Sequence, residues 1–133
     1  MTIRVVRDQR RPMRHEIHIG ESTLTTDISV EEGGEASGPN PHDLYDAALG
    51  ACIALTVLWY SKHKHFPVEG IEVSVDRDPH QERVGVYRLS TALAVTGDLS
   101  TAQREEILRV ARQCPIHKLM TEVTTEISTI LTP

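Results

Sequence analysis

Cysteine is scarce in this chain of 133 residues: there are only two, Cys52 and Cys114. They stand far apart and form no CxxC pair, which excludes a zinc-finger or thioredoxin-type motif. A disulfide framework of the kind found in small secreted domains is also excluded, because the N-terminal "MTIRVVRDQRRPMRHE" is charged and has no apolar core of a signal peptide. A reducing, cytoplasmic setting is therefore expected. The longest uncharged apolar run, Ala47 to Tyr60, is short for a bilayer span, so no membrane association is expected. Positive charge is not in excess. The net charge of −5 argues against nucleic acid as a partner. Repeats and low-complexity segments are absent. What remains is 39% hydrophobic and 25% charged, an ordinary globular composition, at a length that suits one domain over residues 1–133.

Alternation of apolar and polar residues predicts a short strand at Ile3 and Val5, and a hairpin over 14–30 that turns at Gly20-Glu21. The acidic, glycine-rich "EEGGEASGPNP" is read as a loop, its Glu31, Glu32 and Glu35 solvated. Asn40 is a good N-cap, Pro41 suits the first helical position, and Asp43 at the third favours the helix dipole and the first free amides. Helix is predicted from there to Phe66-Pro67, where the residue before proline avoids the helical region. Two alternating strands come next, "IEVSVDRD" and "VYRLSTALAVTG". Ser100 and Gln103 form a capping box for a second helix, whose Ile107, Val110, Ala111 and Cys114 share one face. Pro115 interrupts it, a short helical continuation covers 116–122, and "VTTEISTIL" is predicted as a last strand. The order β-β-β-α-β-β-α-β gives an α+β fold with mainly antiparallel pairing.

The long helix raises the functional question. Residues 41–64 would extend about 36 Å, against a radius of gyration of about 14 Å for a domain of this size. Ala47, Ala48, Gly50, Ala51 and Ala54 leave room for another backbone to approach, so a symmetric homodimer built on this helix is expected. Leu44, Ala48, Cys52, Leu55 and Trp59 fall on one face at helical spacing. Cys52 lies mid-helix, where the dipole does little to ionise it. Cys114 directly precedes a proline, at a helix break where free amides favour a thiolate. The residues alone leave open whether the two sulfurs meet, and two buried structural thiols are the more ordinary outcome. His63 and His65, two apart at a helix end, suit the dipole better than a metal. His117, three after Cys114, is a candidate Cys/His pair or a surface residue.

"GPNPHDLYDAALGAC", followed further on by "CPIHK", resembles the OsmC/Ohr family, in its OsmC-like branch, and the order of elements agrees over nearly the whole chain. The resemblance implies an intertwined homodimer with two long central helices wrapped by antiparallel sheets. It implies thiol-dependent reduction of organic hydroperoxides, and of hydrogen peroxide, in oxidative-stress defence, with no metal or organic cofactor and with an external dithiol as reductant. By the same resemblance Cys52 matches the peroxide-attacking cysteine and Cys114 the resolving one. An apolar pocket beside Cys52, with Leu55 and Trp59 among its walls, would take the substrate. The family carries a glutamate ten residues before the first cysteine; here that position is His42, with Asp43 next to it. The family also uses an arginine to hold the thiolate; "TTDISVEEGGEASG" contains none, the N-terminal candidates are Arg4, Arg7, Arg10, Arg11 and Arg14, and Arg14, which opens the hairpin, is the one chosen. His42 is placed to substitute for part of that pair across a dimer interface, because an imidazolium stabilises a thiolate. The alternative reading is a non-catalytic dimer binding a small apolar ligand near Cys52, or a scaffold with inert thiols.

Overall fold

Three strands, β1 (Ile3–Arg7), β2 (His15–Ile19) and β3 (Ser22–Thr26), form an antiparallel sheet in the order β1-β2-β3, with Ile3 opposite Ile19 and Ile17 opposite Leu24. The β2–β3 turn places Gly20 at φ +58°, a conformation glycine adopts without a Cβ penalty. These elements belong to the first of two compact units, Met1–Asp46 and Ala47–Pro133. The computed structural model describes all residues 1–133.

β3 stops at Thr26, short of the hairpin end expected at residue 30, because Asp27 draws the next ten residues into a loop around itself. Its carboxylate is buried and collects the amides of Ile28, Glu35 and Ser37 and the hydroxyl of Ser37, the last at 2.6 Å. The acidic loop is thus wrapped around one carboxylate. Ser37 and these amides hold that carboxyl near a pKa of about 2.

Helix α1 spans Pro41–His63, as Asn40, Pro41 and Asp43 predict. Asn40 Oδ1 accepts from the Asp43 amide at 2.8 Å, and the Asp43 carboxylate accepts from the Asn40 amide at 3.0 Å, a reciprocal cap. At the other end the Phe66 amide donates to Ser61 O and the His65 amide to Lys62 O, with His65 at φ +57°. That is a Schellman ending, so His65 terminates the helix one residue before Phe66-Pro67 takes effect. At 23 residues α1 is longer than the apolar run it contains, and is long and apolar enough to cross a membrane. Its stripe Leu49, Ile53, Val57 and Ser61 is nevertheless buried, as in a core helix.

In the second unit β4 (Val68–Asp78) pairs antiparallel with β5 (Arg88–Gly97), then come α2 (Thr101–Ala111) and α3 (Pro115–Thr121). The Ser100–Gln103 capping box forms as predicted. The core consists of Leu49, Ile53 and Val57 from α1, Ile107 and Ala111 from α2, and Cys114, with Ile71, Val73, Leu89, Leu93 and Val95 of the sheet against it. A Cβ on Gly50 would lie 3.0 Å from Val75 Cγ2, so at least one small residue of α1 admits the protein's own β4 rather than a partner.

One expectation is corrected, and one left open is settled. The stripe of α1 buried in the core runs through Leu49, Ile53 and Val57; on the face of Leu44, Ala48, Cys52, Leu55 and Trp59, Cys52 packs against that core while Leu55 is 68% and Trp59 62% exposed. The sequence is apolar on several sides of this helix, so periodicity could not choose between faces. The last strand does not form. Val123–Leu131 pairs with nothing, and Val123, Ile127, Ile130 and Leu131 are exposed. Its alternation is that of a strand, but no sheet edge of this unit receives it. The earlier elements keep the predicted α+β order.

Candidate functional site

The second unit brings Cys52 and Cys114 together, although they are far apart in the chain. Both are free thiols, Cys52 half-buried and Cys114 fully buried. Pro115 explains the arrangement. It ends α2, pushes Cys114 into an extended conformation (φ −64°, ψ 150°) and starts α3, so Cys114 becomes the N-cap. The Cys114 Sγ accepts from the His117 amide at 3.3 Å, as a serine or aspartate oxygen would in that role. The amide of Ile116 donates to Cys52 Sγ at 3.4 Å. Two successive amides of one helical turn thus point at two sulfurs.

The electrostatics of the two thiols differ. Burial pushes the Cys114 thiol up, and the Cys52 side chain beside it pushes further in the same direction, both as a hydrogen-bond partner and as a neighbouring charge; the His117 and Ile116 amides act the other way without cancelling the rise. Cys114 therefore holds its proton at neutral pH. Cys52 has more contact with solvent, an amide on its sulfur, and the Thr56 hydroxyl at 3.8 Å. The Ile116 amide is a functional group that residue types could not reveal, since every residue has one. The signal available in sequence was Cys-Pro at a helix break.

Leu55 and Trp59 are exposed, Trp59 lying against the His63 ring at 4.0 Å between centroids. A cleft of about 150 Å³ in the second unit is lined by Ile53, Val73, Thr91, Leu93, Leu108, Ala111, Arg112 and His117, and neither cysteine is in its wall. His117 thus contributes to a cleft wall, and it is its backbone amide that donates to the capping Cys114 sulfur. Arg14, His42 and Asp43 belong to the first unit. There Arg14 Nη2 donates to Thr25 Oγ1 at 3.5 Å and its Nε lies 4.0 Å from Asp8, whose other partner is Arg10 at 2.9 Å. Asp43 is part of the α1 cap, and His42 stands in the first turn of α1. No group of three or more His, Cys, Asp or Glu side chains is arranged to hold a metal ion.

Comparison with known proteins finds the same fold. Similar solved structures include an OsmC-like protein from Mycoplasma pneumoniae (18% identity, 92% of this chain and 87% of that one, TM-score 0.72). An organic hydroperoxide resistance protein OsmC from Legionella pneumophila matches at 20% identity over 92% of this chain and 90% of that one, with a TM-score of 0.65. The organic hydroperoxide resistance protein OhrB of Bacillus subtilis matches at 21% identity over 92% of each chain, with a TM-score of 0.59. At these identities the likeness is one of fold. No curated protein matches the sequence significantly. The pattern of the OsmC-like protein family matches residues 34–128, a stretch that includes both cysteines, and the chain belongs to that family.

Proposed function

We propose that this protein is a thiol peroxidase that reduces organic hydroperoxides, with Cys52 as the attacking thiol and Cys114 as the resolving one. The observation that carries the proposal is the asymmetry of the pair: two sulfurs side by side, one half-exposed with an amide on it, the other buried and holding its proton. The Cys52 thiolate attacks the terminal oxygen of ROOH, the O–O bond breaks, and the alkoxide takes a proton to leave as ROH. Cys52 is then a sulfenic acid. With the negative charge gone from Cys52, one cause that holds the Cys114 proton is removed. The Cys114 sulfur attacks Cys52 Sγ, water leaves, and a disulfide forms. An external dithiol reduces it by exchange. No step requires a metal or an organic cofactor.

The working unit in this proposal is a cytoplasmic homodimer. The isolated chain leaves Ile3, Val5, Val6 and Leu24 of the first sheet, Leu55 and Trp59 of α1, and the apolar residues of the 123–131 segment exposed, more apolar surface than a monomer normally leaves uncovered. In this reading Arg14 and His42 serve the thiolate within the dimer.

The test is single-turnover oxidation of the reduced protein by cumene hydroperoxide and by hydrogen peroxide, with mass spectrometry of Cys52. Cys52→Ser abolishes consumption. Cys114→Ser consumes about one equivalent and stops at the sulfenic acid or beyond. A folded protein whose Cys52 stays reduced ends the peroxidase reading.

A further inference from the structure

Thr56 lies one turn after Cys52 on α1, half-buried, with Oγ1 3.8 Å from Cys52 Sγ. A threonine in the middle of a helix has no advantage of propensity there, and its hydroxyl commonly bonds back to the carbonyl one turn earlier. Here the hydroxyl is directed at a sulfur instead. It borders the buried stripe of α1, whose nearest members, Ile53 and Val57, are apolar. The sulfur therefore has a hydroxyl on its own helix and the Ile116 amide from α3, both neutral groups.

We infer that Thr56 is a positioning residue for the reaction: its hydroxyl donates to the Cys52 thiolate and, with the Ile116 amide, fixes the sulfur in the orientation from which it attacks. The direction of the hydrogen bond comes from the chemistry. A thiolate carries no hydrogen, so the hydroxyl is the donor. A hydroxyl also rotates. After attack it can accept from the new sulfenic O–H and hold that oxygen aside, leaving Cys52 Sγ open to Cys114. An amide cannot make that exchange, because it only donates. Neither role needs Thr56 to touch the peroxide. The inference rests on the peroxidase reading for its purpose, but the hydrogen bond itself is tested without peroxide.

The experiment measures alkylation of Cys52 by iodoacetamide at neutral pH in three proteins that all carry Cys114→Ser, so that only one thiol reacts. Thr56→Val keeps the shape and removes the hydroxyl; Thr56→Ser keeps the hydroxyl. Thr56→Val is expected to react about fivefold more slowly than the parent, in keeping with the loss of one long hydrogen bond to a charged acceptor. Thr56→Ser is expected to react within about twofold of the parent, since it retains that bond. Equal rates for parent and Thr56→Val overturn the inference. So does a Thr56→Ser protein as slow as Thr56→Val, since the methyl and not the hydroxyl would then matter. The same three proteins are then given cumene hydroperoxide. Oxidation of Cys52 slowed in the same order supports the inference in full. If alkylation shows the expected order while no variant, nor the unmutated protein, consumes peroxide, the hydrogen bond stands and the peroxidase reading falls.

Discussion

Replacing Ser61 with alanine is expected to stabilise this protein, although Ser61 is one of its most deeply buried residues. Ser61 is 1% exposed, and its Oγ has no hydrogen-bond partner. A buried hydroxyl left without a partner costs about 1–3 kcal/mol. Alanine also favours the helix interior by about 0.5 kcal/mol over serine. Against this stands a small void. One oxygen leaves roughly 10–15 Å³, which at about 24 cal/mol per Å³ costs about 0.3 kcal/mol. The balance is a gain of about 1–3 kcal/mol. One turn earlier, Val57 is 0% exposed and apolar, and there the sign reverses. Val57→Ala loses two methyl groups, about 1.6 kcal/mol of transfer free energy, and leaves a cavity, for a total loss of about 2–3 kcal/mol. Urea unfolding of the reduced proteins at one fixed concentration measures both changes and keeps mass action out of the comparison. A Ser61→Ala protein less stable than the parent by about 1 kcal/mol would refute the reasoning, since the hydroxyl must then have a partner worth more than its desolvation.

Acid sensitivity should trace to Asp27. Its folded-state pKa, held at about 2 by Ser37 and the loop amides against an ordinary value of 3.8, contributes stability that is complete above 3.8 and lost as pH falls through 2; Asp27→Asn should flatten this part of the acid-unfolding curve. Asp8, held at about 2 chiefly by Arg10, titrates in the same window, so the flattening is expected to be partial and complete only when Asp8→Asn is added. Sedimentation at micromolar concentration should give a dimer, and a monomer would remove the shared site along with the cover for the exposed apolar strips. His42→Ala should slow the first oxidation of Cys52 several-fold if its imidazole serves the thiolate, and an unchanged rate would confine His42 to the first turn of α1.

Much of the fold was legible because its signals are local. Asn40-Pro41 and Ser100–Gln103 cap helices through contacts within three residues, and both form as the sequence predicts. The misreadings have non-local causes. Asp27 looks like any polar residue in an alternating strand, and only the folded loop shows that four donors from residues 28–37 converge on it. The 123–131 segment carries strand periodicity, yet a strand needs an edge, and no edge is encoded within the segment itself. The inward face of α1 could not be read because small and apolar residues surround it; β4 and α2 select Leu49, Ile53 and Val57, and Gly50 then meets Val75.

The thiol pair was half legible, and the reason lies in Pro115. A proline after a cysteine marks a helix break in any sequence. It does not say where the amides freed by the break will point. Pro115 has no N–H, so the first amides that the new helix offers are those of Ile116 and His117. Cys114, as the N-cap, takes the second. The first is left over, and it needs an acceptor from elsewhere in the unit. α1 supplies one at Cys52, on the edge between its buried stripe and its exposed side. The same packing that satisfies an orphan amide therefore joins the two sulfurs and makes them unequal, because the capping thiol is sealed in the core while its partner keeps a path to solvent. In the peroxidase reading proposed above, that inequality gives the order of events: the outer sulfur meets an incoming oxidant first, and the inner one responds only to a change that has already occurred beside it.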